Sequence, residues 1–409
     1  MQTDVLKTRA LDHKSLALYG GQPIRARYLP YGHQEITAED IEAVVRVLRS
    51  DWITTGPAVA AFEEAFAGSV GARYAVTFSS GTAALHAAVF AAGVGPGDEG
   101  ITAPLTFCAT ANCLLYQGGT PVFADVEPDT LTLSPAEVAR RITPRTKVIL
   151  PMDYGGHPAD LQALLDLADH HGLTVIEDAC HALGATVAGR RVGSLSHLTV
   201  FSFHPVKHIT TGEGGMVTTD RPEFARRLRL FRNHGIEYSP QHQEINGPWY
   251  YEMIALGQNY RLTDMGCALG LSQLQRLEAN VVRRQAIAQR YSEAFAQTPG
   301  VVLPSVRSGV RHAWHLYPLR LELERLRADR AEIFRALRAE NIGVNVHYIP
   351  VHLHPYYRQH FGYRGGAFPI AEHAAARLIT LPLFHGMSAQ DRDDVIEAVT
   401  KVLSHYAAP

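Results

Sequence analysis

The sequence has few cysteines and no pattern that would pair them. Its four cysteines are Cys108, Cys113, Cys180 and Cys267, and no two of them have the CxxC spacing. Neither a disulfide framework nor a zinc site is therefore indicated. We expect reduced thiols that are buried in the core.

Long apolar runs and an excess of charge of one sign are also missing. No apolar run approaches the length that spans a bilayer, and charged residues interrupt the first twenty positions, where a signal peptide would have an apolar core. The sequence therefore predicts a cytoplasmic protein without a membrane partner. The formal net charge of −2 argues against nucleic acid as a partner. The short basic clusters 226–229 and 283–284 lie in helical patterns, which favours solvated helix faces.

Between residues 74 and 220, short β-branched runs alternate with amphipathic stretches. This alternation is typical of an α/β domain in which helices cover a largely parallel sheet. The predicted strands are 74–78, 100–104, 121–125, 147–151, 173–177, 198–203 and 215–219.

The rest of the chain predicts an arm before this region and a smaller domain after it. Thr37 and Asp40 have the spacing of a capping box and predict a helix through about Leu48. One or two long helices are expected over 263–296, followed by a second α/β pattern with strands near 316–321 and 343–348. We divide the chain into an N-terminal arm (1–35), a large domain (36–280) and a small C-terminal domain (281–409).

Lys207 is the most informative residue of the chain. It follows the apolar run 198–203 in the stretch Phe-Ser-Phe-His-Pro-Val-Lys-His-Ile-Thr-Thr-Gly-Glu-Gly-Gly. A lysine in a partly desolvated loop after a strand can act as a nucleophile and hold pyridoxal phosphate (PLP) through its amine. The segment alone equally allows a solvated surface lysine.

Two further segments have candidate roles in a PLP site. Asp178 ends an apolar run, and at the carboxyl edge of the sheet its carboxylate could keep the pyridinium nitrogen protonated. The alternative is that it caps the next helix, and Glu177 beside it should point elsewhere. The small-residue turn 79–82 opens a helix, so amides at Gly81 and Thr82 could bind a phosphate, although plain capping is the commoner role of such a turn.

Other patterns are assigned no separate chemistry. The glycine-rich runs 93–97 and 212–215 lack a dinucleotide or P-loop spacing, and the second gives the backbone room beside a cofactor. His347, His352 and His354 form a cluster without an HExxH helix or a carboxylate partner. We therefore predict no metal site.

These segments together resemble the DegT/DnrJ/StrS sugar aminotransferases over nearly the whole chain. This resemblance implies the type I PLP-dependent transferase fold, an α/β fold whose large domain has a mainly parallel seven-stranded sheet and is followed by a smaller C-terminal α/β domain. The matching motifs are Leu-Tyr-Gly-Gly-Gln-Pro (18–23), Thr-Thr-Gly-Pro (54–57), Ser-Gly-Thr-Ala-Ala-Leu (80–85), Glu-Asp-Ala-Cys-His-Ala-Leu-Gly (177–184), the Lys207 segment and Asn-Tyr-Arg-Leu-Thr-Asp (259–264).

The resemblance implies roles for five residues at the cofactor. Lys207 would hold PLP covalently, and Asp178 would pair with its ring nitrogen. Ser202, Gly81 and Thr82 would bind its phosphate.

Three more residues would complete the cofactor site by the same resemblance. His181 would approach the phenolic oxygen, where many relatives have Gln, and Phe107 would stack on the ring. Asn259 would reach the phosphate of the cofactor in the partner subunit, which implies a homodimer with active sites at its interface. A core aromatic and a turn asparagine are the alternatives for Phe107 and Asn259.

Lysine at position 207 favours amino transfer, because relatives with histidine there catalyse dehydration. Phe-His-Pro-Val-Lys and Val-His-Tyr-Ile-Pro-Val-His are similar to segments of the members that make UDP-4-amino-4,6-dideoxy-N-acetyl-β-L-altrosamine, a step toward pseudaminic acid. We therefore expect glutamate as the amino donor and a nucleotide-linked 4-keto-6-deoxy sugar, derived from UDP-N-acetylhexosamine, as the acceptor. The candidate substrate contacts are Arg261, His315, His347 and Tyr348.

Two alternative functions stay open at this point. An enzyme of the same fold could act on a dTDP-linked sugar or a keto-inositol. A protein could also bind PLP without catalysis, as a sensor or scaffold, but the sequence has no helix-turn-helix or basic arm that would couple such binding to DNA.

Overall fold

The computed structural model describes residues 15–408, so the first part of the predicted arm lies outside the described residues. In that part of the chain the strands are β1 (Tyr74–Phe78), β2 (Glu99–Thr102), β3 (Thr120–Phe123), β4 (Thr146–Leu150), β5 (Thr174–Asp178), β6 (Thr186–Val187), β7 (Arg190–Arg191), β8 (Leu198–Ser202), β9 (Gly215–Thr219), β10 (Ile236–Glu237), β11 (Glu252–Met253), β12 (Val301–Val302), β13 (Val310–Arg311), β14 (Tyr317–Leu321) and β15 (Leu378–Leu381). The α-helices are α1 (Ala38–Leu48), α2 (Pro57–Val70), α3 (Gly81–Ala91), α4 (Cys108–Tyr116), α5 (Pro135–Arg141), α6 (Leu161–His171), α7 (Pro222–Arg232), α8 (Pro240–Asn246), α9 (Asp264–Leu274), α10 (Leu277–Phe295), α11 (Arg330–Ala339), α12 (Pro355–Phe361), α13 (Pro369–Ala375) and α14 (Ala389–Tyr406).

A seven-stranded mixed sheet has the order β1-β9-β8-β5-β4-β2-β3. β9 runs antiparallel to both of its neighbours, and all the other pairs are parallel. The predicted α/β fold with a mainly parallel sheet is confirmed, and each predicted strand of this region lies within two residues of the observed one. Parallel strands end at the same edge of the sheet, and this edge therefore gathers the residues that follow β5 and β8.

Helix α3 is packed against the middle of this sheet. Nine of its 11 residues are buried, because its sequence Gly-Thr-Ala-Ala-Leu-His-Ala-Ala-Val-Phe-Ala is apolar or small on every side apart from His86. A helix that is apolar all round is stable only in the interior. Its N-terminus is thereby held at the edge of the sheet.

The C-terminal part has a three-stranded antiparallel sheet, in the order β12-β14-β15, packed with α10, α11 and α14. The N-terminal segment packs into this core through Leu16 and Leu29. Glu340 accepts hydrogen bonds from the amides of Ala17 and Ile24, each over 2.9 Å. The described part of the predicted arm is therefore anchored on the C-terminal core, and the division into domains stays a prediction.

The helix predictions are confirmed, but the strand predicted over 343–348 is wrong. Helix α1 begins after Thr37, whose amide donates to Asp40 Oδ2 over 2.9 Å, and 263–296 forms the two helices α9 and α10. The 343–348 segment makes one isolated bridge, between Asn345 and Thr380, so it has no continuous ladder, and β15 takes the place beside β14. Strand formation requires a run of paired residues, which this segment lacks.

No helix among residues 15–408 is long and apolar enough to cross a membrane.

Candidate active site

A cavity of about 520 Å³ opens at the carboxyl ends of β5 and β8, beside the N-terminus of α3. All the predicted site residues except Asn259 and Arg261 line it. The structure thus brings together residues that are more than 260 positions apart in the chain, from Gly81 to Tyr348.

Lys207 projects into this cavity from the loop after β8. Its backbone amide donates to His204 O over 2.9 Å, and its Nζ lies 3.5 Å from His315 Nε2. Burial lowers the pKa of the Lys207 amine. A lower pKa leaves more of the amine unprotonated, which is what a nucleophilic lysine requires.

Asp178 is buried at the end of β5, with 2% of its surface exposed. Thr110 Oγ1 donates to its Oδ2 over 2.7 Å, and the amide of Cys180 donates to its Oδ1 over 3.2 Å. The next element is β6 and not a helix, so the helix-cap alternative is wrong. Glu177 points away, as predicted, and accepts hydrogen bonds from Ser196 and Thr199.

The first turn of α3 faces the cavity with free amides. Ser80 Oγ accepts the amide hydrogen of Ala83 over 3.1 Å, which leaves the amides of Gly81 and Thr82 for a ligand. A Cβ on Gly81 would lie 2.9 Å from the Ser202 Cβ, so only glycine lets the turn approach this side chain.

Gly215, in the run 212–215, gives this turn its room on the other side. A Cβ there would collide with the carbonyl of Ser80 and lie 2.9 Å from the amide nitrogen of Gly81.

An amine, a buried carboxylate and a helix N-terminus with a hydroxyl beside it are the groups that PLP requires, so the residues present fit this cofactor.

Imidazole and phenol groups form another wall of the cavity. His181 Nε2 lies 3.0 Å from the Tyr348 hydroxyl, and His347 Nδ1 lies 2.9 Å from Thr380 Oγ1. Burial lowers the pKa of His181 well below its usual range and that of His347 to about 3. These rings are therefore neutral at physiological pH and act as hydrogen-bonding groups.

Phe107 lies at the mouth of the cavity. Its side chain is 53% exposed, and its ring centroid lies 6.0 Å from that of Tyr348. The core-aromatic alternative for Phe107 is therefore wrong.

Asn259 and Arg261 do not reach this cavity. Arg261 Nη1 donates to Asn233 Oδ1 over 2.6 Å, and Asn259 forms an isolated bridge with Asn233. Arg261 borders a separate cavity of about 380 Å³ next to α2 and α7. The structure therefore does not bring Arg261 to the cavity of its own subunit. The prediction for Asn259 concerned the cofactor phosphate in the partner subunit, and it stays a prediction.

The three clustered histidines of the C-terminal region do not converge. His347 lines the cavity, whereas His352 Nε2 lies 3.0 Å from Glu372 Oε1. Among residues 15–408, no group of three or more His, Cys, Asp or Glu side chains is placed to hold a metal ion.

Sequence reasoning missed several residues of the site. Tyr31 comes from the N-terminal segment and Asn345 from the segment wrongly predicted as a strand. Thr110 reaches Asp178 from α4, and neither motif nor periodicity indicated it. Cys180 lines the cavity and was wrongly placed in the core, although it stands inside a motif that could have pointed to it.

Comparison with known proteins identifies the family of this chain. Residues 34–400 match the model of the DegT/DnrJ/EryC1/StrS aminotransferase family. The chain is 46% identical over 381 residues to the spore coat polysaccharide biosynthesis protein SpsC of Bacillus subtilis, a match that covers 93% of this chain and 98% of SpsC.

Solved structures resemble the chain over almost its full length. One is Helicobacter pylori PseC, an aminotransferase involved in the biosynthesis of pseudoaminic acid, with a TM-score of 0.86, 30% identity, and coverage of 93% of this chain and 100% of PseC. Another is Spr1654 of Streptococcus pneumoniae in its PLP form, with a TM-score of 0.85, 30% identity, and coverage of 92% and 99%. This chain belongs to the DegT/DnrJ/EryC1/StrS aminotransferase family.

Proposed function

We propose that this sugar aminotransferase holds PLP on Lys207 and moves an amino group from glutamate to the 4-keto carbon of a nucleotide-linked 4-keto-6-deoxy sugar derived from UDP-N-acetylhexosamine. The observation that carries the proposal is the meeting of Lys207, Asp178 and the N-terminus of α3 in one cavity. Membership of the family implies PLP dependence and action on a sugar.

The protein's own groups have distinct tasks in this reaction. PLP, when bound, supplies an electrophilic carbon and a ring that takes up the electron pair left by a departing proton. The Asp178 carboxylate, oriented by Thr110, holds a proton on the ring nitrogen. The amine of glutamate would first displace Lys207 from the cofactor. The freed Lys207 amine would then remove the proton from the amino-bearing carbon of glutamate and, in the second half, deliver a proton to C4 of the sugar.

The choice of sugar is supported by a relative and by the cavity wall. PseC is an aminotransferase involved in the biosynthesis of pseudoaminic acid. Neutral His347 and the Tyr348 hydroxyl offer donors and acceptors that suit sugar hydroxyl and acetamido groups. These two residues are our proposed substrate contacts, and His181 is our proposed contact to the phenolic oxygen.

A homodimer is also part of this proposal. Large apolar side chains on α1 and the loop after it are about half exposed: Ile41, Leu48, Trp52 and Ile53. Exposed apolar patches of this kind mark protein–protein interfaces, and a second copy of this chain would bury the patch. Asn259 and Arg261 would then serve the phosphate and the substrate bound by the other copy. A cytoplasmic location stays a prediction.

A single turnover tests the function. Purified protein in its PLP form is converted by glutamate to the pyridoxamine phosphate form, and the 4-keto-6-deoxy UDP-N-acetylhexosamine is then added. We expect the visible spectrum to return to that of the PLP form and the product mass to show that an amino group and a hydrogen have replaced the ketone oxygen. If the sugar is untouched, the acceptor is another ketone, with dTDP-linked sugars and keto-inositols as the next trials; if glutamate has no effect, glutamate is not the donor or the protein binds PLP without catalysis.

A further inference from the structure

We propose that His315 is a positioning residue for Lys207: its imidazole accepts a hydrogen bond at Nε2 from the lysine amine and so aims the amine into the cavity. This role rests on the proposed function, in which Lys207 is the reacting amine, and differs from the substrate contact that the sequence suggested. The two nitrogens are 3.5 Å apart, at the long end of hydrogen-bonding distance. When the Lys207 amine is protonated it has only donors, so in that state Nε2 accepts and Nδ1 bears the hydrogen, which has no acceptor among the described residues.

The backbone around His315 is held against the loop after β4. The amide of Leu316 donates to Gly155 O, and the amide of Ala313 donates to Gly156 O, each over 3.0 Å. A Cβ on Gly156 would lie only 3.0 Å from the amide nitrogen of His315. Two segments packed this closely leave His315 little freedom to move.

The residue before His315 has a strained backbone. Trp314 has a φ of 51°, a left-handed conformation that is uncommon for a bulky residue. Its ring stacks on His312 with centroids 3.9 Å apart, and its amide donates to His312 Nδ1 over 2.8 Å. Buried Arg284 donates to the carbonyls of Trp314 and His315 over 3.3 and 3.4 Å. Strain that is retained by so many contacts indicates that the direction of the next side chain matters.

The imidazole of His315 is a neutral acceptor in this environment. Only 5% of the residue is exposed, and burial, followed by the positive charge of Lys207, lowers the pKa of His315 well below its usual range. The ring of His181 lies 4.2 Å from it, centroid to centroid, and occupies another side. The ring is therefore neutral at physiological pH and has a lone pair on one nitrogen, which is Nε2 in the tautomer that we propose.

Other titratable and charged groups face Lys207 as well. Asp178 and Cys180 come from β5 and the turn after it, and Arg284 comes from α10. The neighbouring imidazoles are those of His181, His208, His315 and His347. Within the described residues, His315 is the one whose side chain lies within hydrogen-bonding distance of Lys207 Nζ.

Two variants separate positioning from packing. His315→Leu keeps much of the volume and removes the acceptor, whereas His315→Gln keeps an acceptor near Nε2. We expect kcat to fall by about tenfold to a hundredfold in His315→Leu with little change in KM, because a hydrogen bond to a charged group is lost, and to recover most of that loss in His315→Gln. If His315→Leu does not fold, His315→Ala replaces it.

A second measurement determines the pKa of Lys207 in the protein without PLP. Competitive acetylation of the apo-protein across a pH series, read by peptide mass spectrometry, reports the pKa of Lys207. Since the acceptor stabilises the ammonium, this pKa should fall in His315→Leu and return toward the wild-type value in His315→Gln. His352→Gln is the matched control, because it replaces a buried histidine that contacts Glu372 outside the cavity.

Two outcomes would overturn the positioning role: an unchanged Lys207 pKa in His315→Leu, or equal losses in the leucine and glutamine variants. Borohydride trapping of PLP on Lys207 distinguishes a failure of the positioning role from a failure of the proposed function. Trapping on Lys207 in the wild type and the variants, combined with either of those outcomes, removes only the role of His315. Absence of trapping on Lys207 in the wild type removes the proposed function and the positioning role with it.

Discussion

The Thr110 hydroxyl donates a hydrogen bond to Asp178 Oδ2 over 2.7 Å, and it connects α4 to the end of β5. Thr110 is itself in contact with Thr106, whose Oγ1 lies 2.7 Å from Thr110 Oγ1. All three side chains are buried, so this chain of hydrogen bonds fixes the direction of the carboxylate before any ligand arrives.

Replacement of Thr110 by Val should therefore impair catalysis while the protein still binds PLP. Valine has the same shape and lacks the donor, so the Asp178 carboxylate loses a hydrogen bond in a buried site, and kcat should fall about fivefold to twentyfold. Thr132→Val is the control, because it removes a buried hydroxyl that contacts Thr130 and not Thr110 or Asp178. Equal kcat values for the two variants would argue against this role of Thr110.

Replacement of Asp178 by Asn tests the carboxylate itself. A neutral amide cannot hold the pyridinium proton, so the variant should retain PLP by absorbance and transfer amino groups at least about a hundredfold more slowly. Steady-state rates with glutamate and the keto sugar provide the measurement. Full activity of Asp178→Asn would contradict the assignment.

Replacement of Lys207 by Ala should abolish both turnover and covalent attachment. Borohydride reduction followed by peptide mass spectrometry should place PLP on the peptide of Lys207 in the wild type and nowhere in the variant. Lys147→Ala, at an exposed position of β4, is the control and should be trapped like the wild type. A Lys207→Ala protein with normal turnover would refute the proposal.

Replacement of Gly81 by Ala should weaken PLP binding. The new Cβ would lie 2.9 Å from the Ser202 Cβ and displace the first turn of α3 from the phosphate. Titration of the apo-protein with PLP should give a Kd raised by about tenfold or more, as expected when charge-assisted hydrogen bonds are lost. Gly68→Ala, in α2 with no heavy atom within 4 Å of the new Cβ, should bind normally and raise stability by about 0.5–1 kcal/mol. Unaltered affinity in Gly81→Ala would count against a phosphate site at this turn.

Acidification should destabilise the protein partly through His86. Burial lowers the pKa of His86 to about 4, so its folded form stays neutral while the unfolded chain binds a proton near its ordinary value of 6.5. Stability from this group is complete above pH 6.5 and is lost as the pH falls toward 4, up to about 2 kcal/mol at pH 5. The drop in thermal midpoint between pH 7 and pH 5 should be smaller in His86→Gln than in the wild type; an equal drop would show that His86 does not contribute.

Local patterns were sufficient for much of the fold. The strands β1 and β9 have the predicted bounds, and α1 begins at the predicted cap, because alternation and capping depend on neighbouring residues. The same reasoning failed at 343–348, where β-branched residues suggested a strand. The pairing partners of that segment are Leu29 and Thr380, and their positions depend on the packing of distant parts of the chain.

For the site, the resemblance of the motifs, including those around Lys207, Asp178 and Gly81, to the aminotransferase family indicated a PLP-dependent aminotransferase, since each motif alone left a simpler alternative such as a surface lysine or a helix cap. Which side chains meet those groups depended on tertiary structure. The contacts of Thr110 with Asp178 and of His315 with Lys207 join residues 68 and 108 positions apart, and Tyr31 reaches the cavity from the N-terminal segment. The sequence by itself thus determined the α/β fold and the candidate reactive groups, because strands, helix caps and motifs depend on neighbouring residues. Only the tertiary structure decided how those groups are oriented and that Arg261 lies outside the cavity, because orientation comes from the packing of elements that are far apart in the chain.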